Sequence, residues 1–438
     1  MRHQPVLLAC LLVMLVVLTS LLVGRSPASA APAAPSLNPP VTGAGWQKIT
    51  VDSAGSEGQS LSLAINPLTQ KPYISYYDGT NGDLKLAFPV ASGGDCGPGN
   101  TWSCNSLKYT NTADFGLFSS IDFNSAGNWG ISYVQTSPSP SVNFEGTPLP
   151  GNTQFFIPVE GTHAGYMGTS FRFSPGGVGS FLFVSYSGGK SYLNYASYDS
   201  QYGGTCGASN NHWDCETISQ TYLTGFWQHP SLSYMGYMPA IAYRDSTSGK
   251  LYFAARINTG SANCPFSNLW QCDVIDINSI AASGISFLGD PQYPAVAYYD
   301  ANTQYLMLAD GHKGPCNWTC TYIEDVGAQV TDNNDIALAM RNGKYLIAYT
   351  YRVSPSNTIL KVAYPDPNGN CGPFAAGGNQ TWRCEVVDDG GGTKNVGKFL
   401  SMGVTSSNVV YIAYSNDTDQ TLKLAYEYNN QFIPRVKK

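Results

Sequence analysis

The sequence predicts an all-β fold: a seven-bladed β-propeller of four-stranded antiparallel blades, closed by its N-terminal strand. Three observations carry that prediction. A tripeptide of an aliphatic β-branched residue, a small residue and tyrosine recurs as Ile74-Ser75-Tyr76, Ile131-Ser132-Tyr133, Val184-Ser185-Tyr186, Ile241-Ala242-Tyr243, Val296-Ala297-Tyr298, Ile347-Ala348-Tyr349 and Ile412-Ala413-Tyr414. The tyrosines lie 51 to 65 residues apart, a period that suits one four-stranded blade per repeat. The last repeat stops after its third strand, at about Tyr428, and a segment at the other end of the chain, Trp46 to Val51, matches the missing fourth strand.

Each element follows from local pattern. Pro72 to Asp78 and Leu84 to Ala87 flank a turn containing Asn81-Gly82, a strong short-range hairpin signal. That hairpin is the unit that recurs. Strand one opens on a small residue and alternates, as in Ser60-Leu61-Ser62-Leu63, Ser120-Ile121-Asp122-Phe123, Ser170-Phe171-Arg172-Phe173 and Ser231-Leu232-Ser233-Tyr234. Strand two is the tripeptide. Strand three reads Leu-x-apolar-Ala, ending at Ala87, Ala196, Ala254, Ala309, Ala363 and Ala425. Strand four opens on Trp-x-Cys at Trp102, Trp213, Trp270, Trp318 and Trp382. The Trp46 segment aligns with the Trp382 segment, with Lys48 in place of the cysteine, and pairing it with the last repeat removes the sheet edges of an open array. Blade two departs from the repeat: it has no cysteine pair, it carries a Pro- and Gly-rich stretch from Ser137 to Gly151, and its outer strand is expected at Phe155 to Val159. An open β-solenoid is the competing architecture and needs no split repeat.

Composition sets the compartment. Charged residues make up 12% of the 438 residues and the formal net charge is −6, so no basic stripe supports nucleic-acid binding. Residues 1–30 read as a signal peptide, with Arg2 as the n-region charge, an apolar run from Leu7 to Val23, and Ala28-Ser29-Ala30 for cleavage before Ala31. An uncleaved anchor helix is the alternative, since that run is almost long enough to span a bilayer. Leu7-Leu8-Ala9-Cys10 resembles a lipoprotein cleavage box but lies too early in the chain. Residues 31–44 form a Pro/Ala-rich linker, and residues 45–438 the propeller. Past Cys10, ten cysteines fall in close pairs: Cys96/Cys104, Cys206/Cys215, Cys264/Cys272, Cys316/Cys320 and Cys371/Cys384. In an exported chain these read as five local disulfides, each clipping the loop between strands three and four. Zinc is disfavoured, because the pairs lack accompanying histidines and uniform spacing. The expectation is a secreted, extracellular monomer with no membrane contact beyond the signal peptide.

The repeats built on Ile74-Ser75-Tyr76-Tyr77-Asp78 and Gly82-Asp83-Leu84-Lys85-Leu86-Ala87 resemble those of secreted bacterial and archaeal β-propeller proteins, loosely grouped with sialidase-like propellers. The resemblance covers nearly the whole mature chain and implies the fold. The Asp-box of sialidases, Ser-x-Asp-x-Gly-x-Thr-Trp, is not found, so no sialidase catalytic residue transfers by position.

Candidate site residues come from departures within the repeat. Aligning the inner strands gives a column of Ser62, Asp122, Arg172, Ser233, Ser286, Ala337 and Ser401, in which only Asp122 and Arg172 are charged. They are expected to pair across neighbouring blades, either as a structural ion pair or as an anchor for an anionic or sugar ligand. The strand four-to-one links bring His163, Tyr166, Phe226, Trp227 and His229, aromatic and polar groups suited to sugar rings, although packing between blades also uses aromatics. Together these residues place a ligand site at blades two to four. A set of acids after the core tyrosines, Asp78, Asp245, Asp300 and Asp417, reads first as turn caps. Glu145 and Glu160 could join Asp122 as a glycosidase carboxylate pair. No serine-hydrolase elbow, zinc-protease or phosphate-loop motif occurs, so no catalytic residue is assigned. No cofactor is implied; Asp332 to Asp335 and Asp366 to Gly369 are weak calcium candidates that ordinary turns explain better. The function expected is non-catalytic recognition of a glycan or protein partner, with a sialidase-like hydrolase or lyase as the alternative.

Overall fold

The computed structural model describes residues 45–427 apart from the internal segments 109–113, 138–139, 147–154, 159–167, 200–203, 207–211, 223–229, 246–247, 259–261, 277–283, 291–293, 301, 312–317, 327–335 and 375–379. The signal peptide and linker expected over residues 1–44 lie outside the described residues. No helix among the described residues is long and apolar enough to cross a membrane.

Seven four-stranded antiparallel sheets form the blades. Numbered by inner strand, blades 1 to 7 begin at Gln59–Ile65, Asp114–Phe123, Ser170–Phe173, Ser231–Met235, Ile285–Leu288, Ile336–Arg341 and Val396–Val404. Each inner strand packs beside the next, and the seventh packs beside the first, so the ring is closed. Outer strands are Trp102–Lys108, Phe155–Pro158, Trp213–Tyr222, Trp270–Asp276, Thr319–Asp325 and Gln380–Asp388 for blades 1 to 6. Blade 7 takes its outer strand from the N-terminus: Trp46–Asp52 pairs antiparallel with Thr421–Glu427, with Trp46 opposite Glu427 and Thr50 opposite Lys423. Val51 is fully buried there, in a cluster with Leu61, Leu63, Leu422 and Leu424 that joins blades 7 and 1.

The core lies between blades, because each sheet buries both faces against its neighbours. The core tyrosines Tyr76, Tyr298, Tyr349 and Tyr414 have no exposed surface. Blade 3 differs from the expected register. Its second strand, Gly179–Ser187, pairs Phe181 with Phe171 and Ala196, the places that Ile74 takes opposite Leu63 and Ala87 in blade 1. The tripeptide position in blade 3 is therefore Phe181-Leu182-Phe183, three residues before Val184-Ser185-Tyr186. That strand is apolar on both faces along most of its length, so alternation could not choose the register.

Four of the expected disulfides form: Cys96–Cys104, Cys206–Cys215, Cys264–Cys272 and Cys371–Cys384. The fifth expectation is corrected, because Cys320 is a free cysteine and Cys316 lies outside the described residues. In the bridged loops the chain turns back so that the first cysteine's N–H reaches the tryptophan carbonyl, as with Cys96 and Trp102, Cys206 and Trp213, and Cys264 and Trp270. The spacing in sequence differs as well: the first cysteine stands six to eleven residues before the tryptophan in the four bridged loops, and Cys316 stands two before Trp318.

The inner strands of blades 1, 2 and 7 share a glycine that sets their approach to the preceding blade. Gly58, Gly116 and Gly397 have φ of 84°, 106° and 91° and lie against Leu422, Leu84 and Leu360, the leading leucines of strand three next door. A β-carbon on Gly116 would fall 2.9 Å from Leu84 Cα. Gly116→Ala is expected to cost about 1–3 kcal/mol through backbone strain and that clash, read as a lower urea midpoint. Gly176→Ala, where the nearest atom to an added β-carbon is 3.7 Å away, should leave the midpoint in place.

Candidate ligand-binding site

The channel wall is stitched by side-chain oxygens. Register places Ser62, Ser120, Ser170, Ser231, Ser286, Ala337 and Ser401 at equivalent positions around the ring. Each of the six serines accepts the N–H of the residue one step further along the next blade: Ile121, Phe171, Leu232, Phe287, Leu338 and Leu63. These bonds satisfy edge N–H groups that water would otherwise have to reach. One mouth of the channel, a pocket of ≈140 Å³, is lined from all seven blades and includes five of the ring serines, Ser62, Ser120, Ser170, Ser231 and Ser401.

Asp122, Arg172 and Ser233 thus stand two residues beyond the ring serines, on the same side of their strands. The expected column is therefore two residues off in blades 2 to 4, a slip that alternation cannot reveal because β-strand faces repeat every second residue. Asp122 and Ser233 form a second tier of stitches, accepting from Phe173 N at 2.9 Å and from Gly289 N at 3.0 Å. Burial raises the Asp122 carboxyl above its ordinary value, against the opposing pull of Arg172. The expected ion pair does not form: no salt bridge joins Asp122 to Arg172, whose guanidinium donates to Phe171 O at 2.7 Å.

Arg172 lines a pocket of ≈290 Å³ with Phe123, Asn124, Phe173, Ser233 and Tyr234. The pocket lies where the inner strands of blades 2 to 4 run into their turns. Tyr234 hydroxyl meets Ser180 and Tyr195, which fixes its ring beside the pocket. The links expected to contribute His163, Tyr166, Phe226, Trp227 and His229 enter the strands at the other end, and these five residues lie outside the described residues. Glu160 is outside them as well. Glu145 is held by Lys108 of blade 1 at 2.8 Å, on the third strand of its sheet, whereas Asp122 is on the first.

A second set of polar residues was missed in the sequence. Between blades, the core tyrosine hydroxyl donates to an acid on the outer strand of the preceding blade: Tyr76 to Asp52, Tyr298 to Asp276, Tyr349 to Glu324 and Tyr414 to Asp388. In three seams a strand-three lysine joins the pair: Lys85 to Asp52, Lys361 to Glu324 and Lys423 to Asp388. The signal was present, since each of these acids lies six residues after its tryptophan: Trp46, Trp270, Trp318 and Trp382. Burial alone would raise the Asp52 carboxyl, but the bonds from Lys85 and Tyr76 outweigh it and hold the group below its ordinary range. Blade 1 adds Glu57, which Lys85 also reaches at 3.0 Å; burial pushes this carboxyl up to about 7.

Three of the four acids after the core tyrosines, Asp78, Asp300 and Asp417, have structural partners. Asp78 accepts from Thr80 N and Asn81 N, and Asp300 from Asn302 N and Thr303 Oγ1, which are turn caps. Asp417 accepts from Ser415 Oγ and pairs with Lys398. Of the calcium candidates, Asp366 caps Asn368 N and pairs with Arg383, and residues 332–335 lie outside the described residues. Among the described residues the one cluster with metal-ligand spacing is Asp95, Cys96 and Cys104, and its two sulfurs are already bonded to each other.

No family model matches the chain, and no curated protein matches it. Among solved structures it is similar to a point mutant of NanB sialidase from Streptococcus pneumoniae, at 10% identity over 86% of this chain and 69% of that one, with a TM-score of 0.44. It is similar to the BP39L lectin from Burkholderia pseudomallei, at 15% identity over 82% of this chain and 97% of the lectin, with a TM-score of 0.45. A fungal lectin from Aleuria aurantia, described as a six-bladed β-propeller with a novel mode of fucose recognition, matches at 12% identity over 76% of this chain and 96% of its own, with a TM-score of 0.42. At these identities and scores the likenesses carry no argument about function.

Proposed function

We propose that the protein is a secreted, non-catalytic recognition propeller that binds an anionic glycan, with the Arg172 pocket as its anchor. The observation that carries this reading is Arg172 itself. Its guanidinium lies in a pocket wall with no carboxylate within salt-bridge distance among the described residues, beside Phe123, Phe173 and Tyr234. A planar cation with unspent donors suits a carboxylate or sulfate on a sugar. Aromatic faces suit the apolar side of the ring, and the serine and asparagine groups can take its hydroxyls. The four disulfides suit an oxidising, extracellular setting.

The test combines a glycan array with reducing-sugar release on acidic polysaccharides. Binding to acidic glycans without turnover is expected. Arg172→Ala should weaken that binding by about 1.5–3 kcal/mol, the range for hydrogen bonds to a charged group, with thermal unfolding unchanged. Turnover would instead establish the hydrolase or lyase reading. Equal binding by the variant would remove Arg172 from the site.

A further inference from the structure

Glu57 is a carboxylate where blades 2 and 7 place an apolar residue. The residues before the three equivalent glycines Gly58, Gly116 and Gly397 are Glu57, Phe115 and Val396. A charge at a position that is apolar in blades 2 and 7 breaks local consistency, and such breaks concentrate at functional sites.

Its surroundings point to a ligand. Glu57 is 2% exposed and lines a pocket of ≈310 Å³ at the seam of blades 7 and 1, together with Ser56, Gln59, Lys398, Ser415 and Asp417. One carboxylate oxygen, Oε1, accepts from Lys85. The other, Oε2, is buried and has no hydrogen-bond partner. A buried acceptor left open costs free energy until a donor meets it. The charges facing Glu57 come from every neighbouring strand. Lys85, Asp78 and Tyr76 lie on the blade 1 side and Asp52 at the end of the outer strand of blade 7, with Lys85 at 2.6 Å from Asp52 and 4.0 Å from Asp78. Lys398 lies on the blade 7 side and is already paired with Asp417. Four carboxyl groups thus face two ammonium groups, so the seam favours a cation.

We propose that this seam pocket binds a small primary-ammonium ligand, whose N–H groups donate to Glu57 Oε2. The site is separate from the Arg172 pocket at blades 2 to 4 and does not depend on what that pocket binds. An ammonium group pairs with the ionised carboxylate, and burial holds the Glu57 carboxyl up to about 7. The folded value is above the unfolded one, so Glu57 supports the fold while protonated and loses that contribution as pH rises through about 7. A bound ammonium reverses the loss, and stabilisation by ligand must therefore be larger at pH 8 than at pH 5.5.

Calorimetry and thermal-shift measurements on the whole protein test this with two probes, Nα-acetyl-lysine amide and putrescine. Glucose and the Nε-acetylated lysine amide are uncharged controls. Saturable binding is expected at pH 8 for at least one probe, at least tenfold weaker at pH 5.5, and absent for both controls. Binding of the lysine amide alone assigns a lysine-bearing peptide, and of putrescine alone a free amine. Glu57→Gln should abolish binding, Lys398→Met should strengthen it by removing the competing cation, and Arg172→Ala should leave it unchanged. The proposal is overturned if neither probe binds at pH 8, if the acetylated control binds equally, or if Glu57→Gln binds normally. Should Glu57→Gln not fold, Lys398→Met decides alone: unchanged or weaker binding overturns the proposal.

Discussion

Removing residues 45–52 is expected to destabilise the whole ring, not merely to shorten one blade. The strand they form is the outer strand of blade 7, paired along its length with Thr421–Glu427. Without it that partner becomes an exposed edge. Val51, fully buried, leaves the seam cluster, a loss of about 1.5–3 kcal/mol. Asp52 leaves Tyr76 and Lys85 without their shared acceptor, which adds about 1–3 kcal/mol. Lys48 no longer reaches Asp388. These losses fall at one seam, but the inner strands close into a ring, so a gap there removes neighbours on both sides. Against a total stability of about 5–15 kcal/mol the deficit is large. A melting temperature lower by roughly 10 °C is expected for about 5 kcal/mol lost, with aggregation visible in size-exclusion chromatography. A truncated chain that melts with the full-length protein would show that ring closure is dispensable. Adding the peptide in trans should restore part of the stability, since its register is set by the pairing of Trp46 with Glu427.

The blade number, strand order and ring closure were legible because they rest on repetition. Period-two alternation and a recurring tripeptide survive any single irregularity. Register was less legible, and the reason is the same period. A slip of two residues keeps a side chain on its face, so Asp122 and Arg172 could be aligned with Ser62 although the ring places Ser120 and Ser170 there. Blade 3 slipped by three because Phe181, Leu182, Phe183 and Val184 are all buried, leaving no polar face to mark the phase. Polar contacts between blades were illegible in detail, since they join residues on different repeats. Yet the acid six positions after the tryptophan was readable at Asp52, Asp276, Glu324 and Asp388. These acids belong to the repeat, so they do not stand out as charges that break it. Glu57 breaks it, but only the glycine alignment with Phe115 and Val396 exposes that, and the alignment depends on positive φ at Gly58, Gly116 and Gly397.

Replacing Lys85 with methionine is expected to destabilise the protein by about 3–5 kcal/mol at pH 8, the range for breaking a buried ion pair from one side, and by much less at pH 4. Lys85 is 7% exposed, and its ammonium lies among Asp52, Glu57 and Asp78. Methionine keeps most of the apolar stem. Blade 5 shows that the position accepts it, because Met307 stands there, opposite Tyr298, whose hydroxyl donates to Asp276. What the variant loses is the cation. In the native protein the bonds from Lys85 and Tyr76 hold the Asp52 carboxyl below its ordinary value in spite of burial, so Asp52 contributes stability above its unfolded value and loses it as pH falls through the folded one. Without Lys85 burial prevails, and Asp52 joins Glu57 on the raised side. Groups with raised values support the fold only while protonated, so the variant loses stability as pH rises, where the native protein does not lose it through Asp52. The difference in melting temperature should therefore widen steadily from pH 4 to pH 8. A deficit of equal size at both ends would mean that lost packing, and not three uncompensated carboxyl groups, explains the change.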